Sequence, residues 1–182
     1  MVLHSAGILL YRQDADRVRV FLAHIGGPLW AGKDERAWTI PKGLLAADEE
    51  PRAAAVREFT EETGAPPPDG ELIELGTFRQ AGGKRVTAYA LCADFDAMTL
   101  AGNTFQMEWP PRSGQIREFP EVDRADWFDL DTAADKLVRG QVPMLAALST
   151  LVDGVPTAAA DRSEQVPPID ERGEQPDDRG LH

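Results

Sequence analysis

Cysteine is almost absent from this chain: Cys92 is the single one among 182 residues. That excludes an internal disulfide and leaves no second thiol for a Cys-based metal site. Cys92 sits in the strand-like run VTAYALCADF, where a buried, inert thiol is expected. Long apolar runs are missing too. GILLY and VFLAHI fall well short of the roughly 18 apolar residues that cross a bilayer, and no basic-then-apolar leader precedes them, so a cytoplasmic protein without membrane contact is expected. Positive charge is scarce, with 19 Lys and Arg against 31 Asp and Glu and a net charge of -12. Repulsion from phosphates then argues against a stable nucleic-acid complex, since no basic patch is visible to overcome it. A phosphorylated small molecule is still admissible where a divalent cation inverts the local field. The three histidines, His4, His24 and His182, have no metal-ligand spacing, and His24 reads as a hydrogen-bonded structural residue.

What is present is the composition of one globular domain, 42% hydrophobic and 27% charged, with a change of character near the end. Residues 153–182 contain eight acidic and three basic residues and no aromatic one. Such a segment buries too little apolar surface to offset its ordering entropy, so residues 1–152 are expected to form the domain and 153–182 a disordered acidic, Pro-rich tail. In the body, SAGILLYR and RVRVFLAHI read as a hairpin around QDAD, and AWTIP as a short strand stopped by Pro41. From Arg52 to Thr63 no Gly or Pro interrupts a run of helix formers. Glu50 or Asp48 is placed to cap it, Pro51 suits its first turn and Gly64 its stop. ELIELGTFRQ and KRVTAYALCADF flank AGG as a second hairpin, in which Lys84 and Arg85 read as ordinary turn charges. A long polar segment, 96–126, precedes DWFDL and a last helical stretch bent near Pro143. Strands interleaved with two helices indicate an α/β domain.

The first helix carries Glu58, Glu61 and Glu62 within five residues. At about 100° per residue Glu58 and Glu62 lie about 40° apart, with Glu61 about 60° to the other side of Glu58, so one face holds all three. Val56, Phe59 and Thr63 point mostly the opposite way, toward a core. Like charges at this spacing destabilise a helix by a few tenths of a kcal/mol per pair. A solvated surface face is one explanation. A hard divalent cation is the other, because Mg²⁺ takes carboxylate oxygens together with substrate phosphates and water.

The surrounding spacing favours the cation. The chain reads Gly43, five residues, Glu49, seven residues, Arg57-Glu58-Phe59, one residue, Glu61-Glu62, one residue, Gly64. This resembles the Nudix box of the Nudix hydrolases, with the small Ala65 departing from the bulky apolar residue at its last position. The resemblance extends to the preceding WTIPKG and to the following hairpin. It implies an α/β/α sandwich around a mixed β-sheet, with Glu58 and Glu62 as the main metal carboxylates, Glu61 as a further ligand or a water-mediated contact and the Gly43 carbonyl as a backbone ligand. Mg²⁺ is the implied ion and Mn²⁺ the alternative. By the same resemblance Arg57 orients the cluster through Glu61 or Glu49, a task suited to a planar guanidinium. A general base outside the box is expected in FPEVDRADWF, where Glu121 is the first choice and Glu118 the second.

Four further residues are candidates for substrate contact. Lys42 adjoins the box glycine within reach of a phosphate. Tyr89 either packs in the core or stacks on a base. Trp109 and Arg112 lie in NTFQMEWPPRSGQIREFPEVDR, a segment too long for a simple connector, where an aromatic ring and a cation are placed to meet a base and a phosphate. The implied substrate is a phosphorylated nucleotide, a nucleoside diphosphate linked to another moiety. Nucleoside triphosphates, oxidised ones included, and dinucleoside polyphosphates stand first. The alternative is a non-catalytic domain that binds a nucleotide as a sensor or regulatory module, although such domains lose box acids and none is lost here.

Overall fold

The structure, a computed structural model, describes residues 3–14 and 17–154. Its centre is β1 (His4–Asp14), which pairs antiparallel with β2 (Arg17–Ile25) through Tyr11↔Val20 to Asp14↔Arg17. A parallel partner, β6 (Arg85–Cys92), lies along its other edge from His4↔Arg85 to Tyr11↔Cys92. β3 (Trp38–Thr39) and β9 (Val122–Asp129) pair with β2, β4 (Lys42–Leu44) pairs with the first residues of β1, and β5 (Ile73–Arg79) closes the far side against β6. The main path of the sheet runs β3-β2-β1-β6-β5. Both expected hairpins are present, and the sheet is mixed.

The strands are apolar on both faces because each face is covered. Ile8, Leu10, Phe21, Tyr89 and Leu91 point to one core, where Ala54, Ala55 and Phe59 of α1 (Pro51–Thr63) meet them. Leu9, Leu22, Ala88 and Ala90 point to the other, against Leu137 and, from α3 (Pro143–Gly154), Met144, Leu145 and Leu148. Alternation along a strand sends neighbours to opposite faces, so a central strand in a sandwich reads as an unbroken apolar run. This is the α/β/α sandwich the sequence implied. α1 begins with Pro51 in its first turn and ends at Gly64, whose φ of 83° closes the cap with its N–H on Thr60 O. Glu50 occupies the N-cap position, but its side chain makes no capping hydrogen bond.

Three expectations need correction. Much of the segment 96–126 is ordered as strands: β7 (Thr104–Glu108) and β8 (Ile116–Pro120) form a separate two-stranded sheet that leads into β9. The last helical stretch is not one bent helix. It is divided into α2 (Leu130–Lys136), a 3₁₀ turn at Arg139–Gln141, and α3, which starts at Pro143 because proline lacks the N–H an interior position needs. Cys92 is exposed at the end of β6, not buried. α3 continues through Gly154, two residues past the expected domain boundary. The remainder of the expected tail, 155–182, lies outside the described residues.

Candidate active site

The acidic face of α1 meets the loop that β3 and β4 bracket. Gly43 lies so close to Glu58 that a Cβ there would sit 1.9 Å from Glu58 Oε2, so a side chain at 43 would push that carboxylate from its place. Lys42 donates its backbone N–H to Glu62 Oε2 at 3.1 Å. Gln141, fully buried, steadies the strand before them by accepting from the Ile40 N–H at 2.9 Å and donating to Thr39 Oγ1 at 2.8 Å.

Arg57 gathers the other acids. Its Nε and Nη2 donate to the two oxygens of Glu49 at 2.9 and 2.8 Å, the bidentate geometry a guanidinium favours. Nη1 donates to Glu58 at 2.7 Å and to Glu61 at 3.2 Å, and Nη2 also reaches Leu44 O at 3.0 Å. The sequence offered Glu61 or Glu49 as partner; the structure shows both, and Glu58 besides. Those bonds, with the Ala46 N–H, hold the Glu49 carboxyl down at about 2.

Glu62 is the opposite case. It is only 8% exposed, and burial above all pushes its carboxyl up to about 7; Lys42 opposes that, while Glu58 and Glu121 add to it. Glu121, in the turn between β8 and β9, is also raised, first by partial burial and then by the charge of Glu58. The helix adds to the tension. Glu61 and Glu62 lie in the last turn of α1, where the macrodipole is negative and no basic residue offsets it.

This donor set fits a hard divalent cation: oxygen ligands only, one of them buried without a full counter-charge, and a glycine that makes room for a second. Among the described residues no three His, Cys, Asp or Glu side chains converge at ligand spacing. Arg57 holds Glu58 and Glu61 toward itself, and those two must pivot for all three acids to share an ion.

Glu58, Glu61, Glu62, Glu121, Lys42 and Gly43 all line one cleft of about 1000 Å³. Of the sequence candidates, these six are brought together, with Arg57 bonded behind them. The others lie elsewhere. Glu118 is on the exposed hairpin, where it accepts from the Thr104 hydroxyl, and is not part of the cleft wall. Trp109 and Arg112 lie in the turn between β7 and β8, away from the cleft lining. Tyr89 is 6% exposed in the core beneath α1, because its register opposite Ile8 turns it to that face.

Other cleft residues escaped the sequence reading. Trp30, in the Gly- and Pro-containing loop between β2 and β3, lines the cleft together with Phe105 and Met107 of β7, and Lys84 lines it at the turn before β6. An aromatic ring inside GGPLW was an available signal for that wall. Lys84 was read from the sequence as an ordinary turn charge, and Gln141 carried no signal, since only the fold brings it to the cleft. His24 anchors the same loop from beneath: fully buried, it bonds Asp123 through Nδ1 at 2.7 Å and Lys33 O through Nε2 at 2.8 Å.

Comparison with known proteins identifies the class. The family model described as NUDIX domain matches residues 2–148. The chain therefore belongs to the Nudix family. Solved structures of similar fold include the Ap4A hydrolase binary complex of C. elegans, 20% identical with a TM-score of 0.59 over 83% of this chain and 99% of that one. The NUDIX domain of Shewanella oneidensis NrtR, complexed with ADP ribose, is 15% identical with a TM-score of 0.57, covering 84% and 89%. A mutT/nudix family protein of Listeria innocua is 17% identical with a TM-score of 0.56, covering 83% and 94%. A curated relative, an octanoyltransferase of Myxococcus xanthus, is 33% identical over 100 residues, or 55% of this chain and 25% of that protein. The chain thus spans about a quarter of that relative's length.

Proposed function

We propose that this protein is a Mg²⁺-dependent pyrophosphohydrolase cleaving a nucleoside diphosphate linked to another moiety. Nucleoside triphosphates, including oxidised ones, and dinucleoside polyphosphates are the leading substrates. The observation that carries this reading is that four carboxylates, Glu58, Glu61, Glu62 and Glu121, line one cleft with Lys42. An anionic phosphate chain enters such a cleft only with cations to neutralise it.

In this reading Glu58, Glu61, Glu62 and the Gly43 carbonyl hold the ion. The ion, when bound, lowers the pKa of coordinated water and neutralises charge on the departing phosphate. Glu121 accepts the proton of the attacking water; its raised carboxyl moves it toward the range where a base works near neutral pH. The Lys42 ammonium meets a phosphate oxygen. Arg57 keeps Glu58 and Glu61 aimed, and the apolar wall at Trp30 and Phe105 receives the base.

The test is a panel of nucleoside triphosphates, oxidised nucleotides, Ap4A, ADP-ribose and nucleotide sugars, incubated with Mg²⁺ and followed by product release. Turnover of at least one member is expected, with a loss of about 100-fold or more in kcat for Glu58→Gln and Glu62→Gln. If the wild-type protein turns over nothing yet binds a nucleotide tightly, the sensor reading replaces this one.

A further inference from the structure

Glu121 is far from the box in sequence, and the structure shows what fixes it there. The last turn of a helix leaves carbonyls without partners. In α1 these are met by a short segment, Ala101–Asn103, that crosses the helix end. Ala101 N–H donates to Thr63 O at 3.2 Å and Asn103 N–H to Glu61 O at 2.9 Å. The chain of bonds then continues outward: Glu121 N–H donates to Asn103 O at 2.9 Å, and Gly26 N–H to Glu121 O at 2.8 Å. The helix that carries the acidic face and the residue opposite it are thus joined through one intervening residue.

Two contacts show how closely this strap is fitted. A Cβ on Gly102 would lie 2.0 Å from Glu62 O and 3.1 Å from Glu61 O, both backbone atoms that cannot swing aside. A Cβ on Gly26 would lie 2.0 Å from Pro120 O and 3.2 Å from the Glu121 carbonyl carbon. Neither glycine has a φ in the left-handed region. Each is required for close approach, not for backbone conformation.

We propose that Ala101–Asn103 is a positioning strap that sets Glu121 against the acidic face of α1, with Gly102 as its positioning residue on the helix side and Gly26 on the turn side. The proposal rests on the reading of Glu121 as the group that takes the proton from water. Side chain and water must meet within a few tenths of an ångström for efficient transfer, and a displacement of about 1 Å is enough to lower turnover about 100-fold. Any side chain at 102 must push the strap off the helix end and carry the Glu121 backbone with it.

The experiment is a double-mutant cycle on the full-length protein with Mg²⁺ and a substrate from the panel: wild type, Gly102→Ala, Glu121→Gln and the double variant. Gly102→Ala is expected to lower kcat about 10- to 100-fold with KM changed less than about threefold. In the Glu121→Gln background the same substitution is expected to lower kcat less than about threefold, because the group it misplaces is already disabled. A merely structural role predicts equal losses in both backgrounds, and that result overturns the strap. Near-normal kcat for Glu121→Gln alone overturns the reading of Glu121 instead, so the two failures are distinct. Gly26→Ala supplies a second cycle should Gly102→Ala not fold. Amide hydrogen exchange of the wild-type protein needs no variant: the Asn103 and Glu121 amides are expected to exchange as slowly as the last turn of α1, and free exchange at Asn103 overturns the proposal.

Discussion

At the scale of single residues, Glu62 couples pH, metal and stability. Its carboxyl is raised to about 7 in the ion-free fold from an ordinary 4.5. Between those values the unfolded chain releases the proton first, so the group's contribution to stability is full below about 4.5 and is lost as pH rises through about 7. The difference amounts to roughly 3 kcal/mol. Urea denaturation in EDTA should therefore show the wild type losing stability relative to Glu62→Gln between pH 5 and 8, with Mg²⁺ restoring it at pH 8 and having little effect at pH 5. Identical pH dependence in the two proteins would remove Glu62 as the source. The spacing of the acids was legible in the sequence because a helix wheel needs nothing beyond residue order. That Glu62 is buried was not legible, since the Lys42 N–H it accepts comes from β4, 20 residues earlier in the chain. The multiple grip of Arg57 was likewise only half visible: pairing was expected, but its simultaneous reach to Glu49, Glu58 and Glu61 depends on how β4 lies over the helix.

At the scale of elements, strong apolar periodicity was readable and weak alternation was not. β1, β2, β6 and α1 all bury continuous or amphipathic faces, and the sequence places them well. β7 alternates only between exposed and half-buried positions and β8 is exposed except at Phe119, with TFQME and IREFP too polar and too short to stand out. The division of the terminal helix followed the same logic: Gly140 and Pro143 are visible breakers, but whether they bend or end a helix depends on Gln141 being drawn inward to Ile40 and Thr39. The loop after β2 depends on His24, whose ring joins Lys33 O on one side and Asp123 on the other. His24→Ala removes both bonds and a fully buried ring, leaving Asp123 only its ion pair with Arg124, and should destabilise the fold by about 2–3 kcal/mol. Because Trp30 and Leu29 on that loop line the cleft, KM should rise several-fold while kcat stays within about twofold. Denaturation and steady-state kinetics check the two parts, and a loss confined to kcat would place His24 nearer the chemistry than its burial suggests.

For the whole molecule, two cores on opposite faces of one sheet leave the cleft at the sheet's end, reached by β1, β4, the turn before β6, the β2–β3 loop and β7. A family match over residues 2–148 and an α3 that ends at Gly154 place every identified site residue within that body. We expect a chain ending at Gly154 to keep kcat/KM within about twofold and its melting temperature within a few degrees, as measured by activity and thermal unfolding. A tenfold loss would assign part of the site to 155–182. The fold class was legible because the box marks one helix and the apolar runs mark the strands around it, whereas the cleft's far wall depends on tertiary placement of polar and aromatic residues scattered through five segments. The strap between α1 and Glu121 belongs to that unmarked part for a definite reason. All its bonds run from main chain to main chain, so at 101, 103 and 121 nearly any residue but proline can supply the N–H, and only the close-fitting Gly102 and Gly26 mark it. Such a tie is blind to the identity of the wall. The loop from Gly27 to Lys33 can exchange its side chains, and with them the base it welcomes, while Gly26 continues to hold the acid on target. In evolution, recognition then becomes an interchangeable part mounted on an inherited aim.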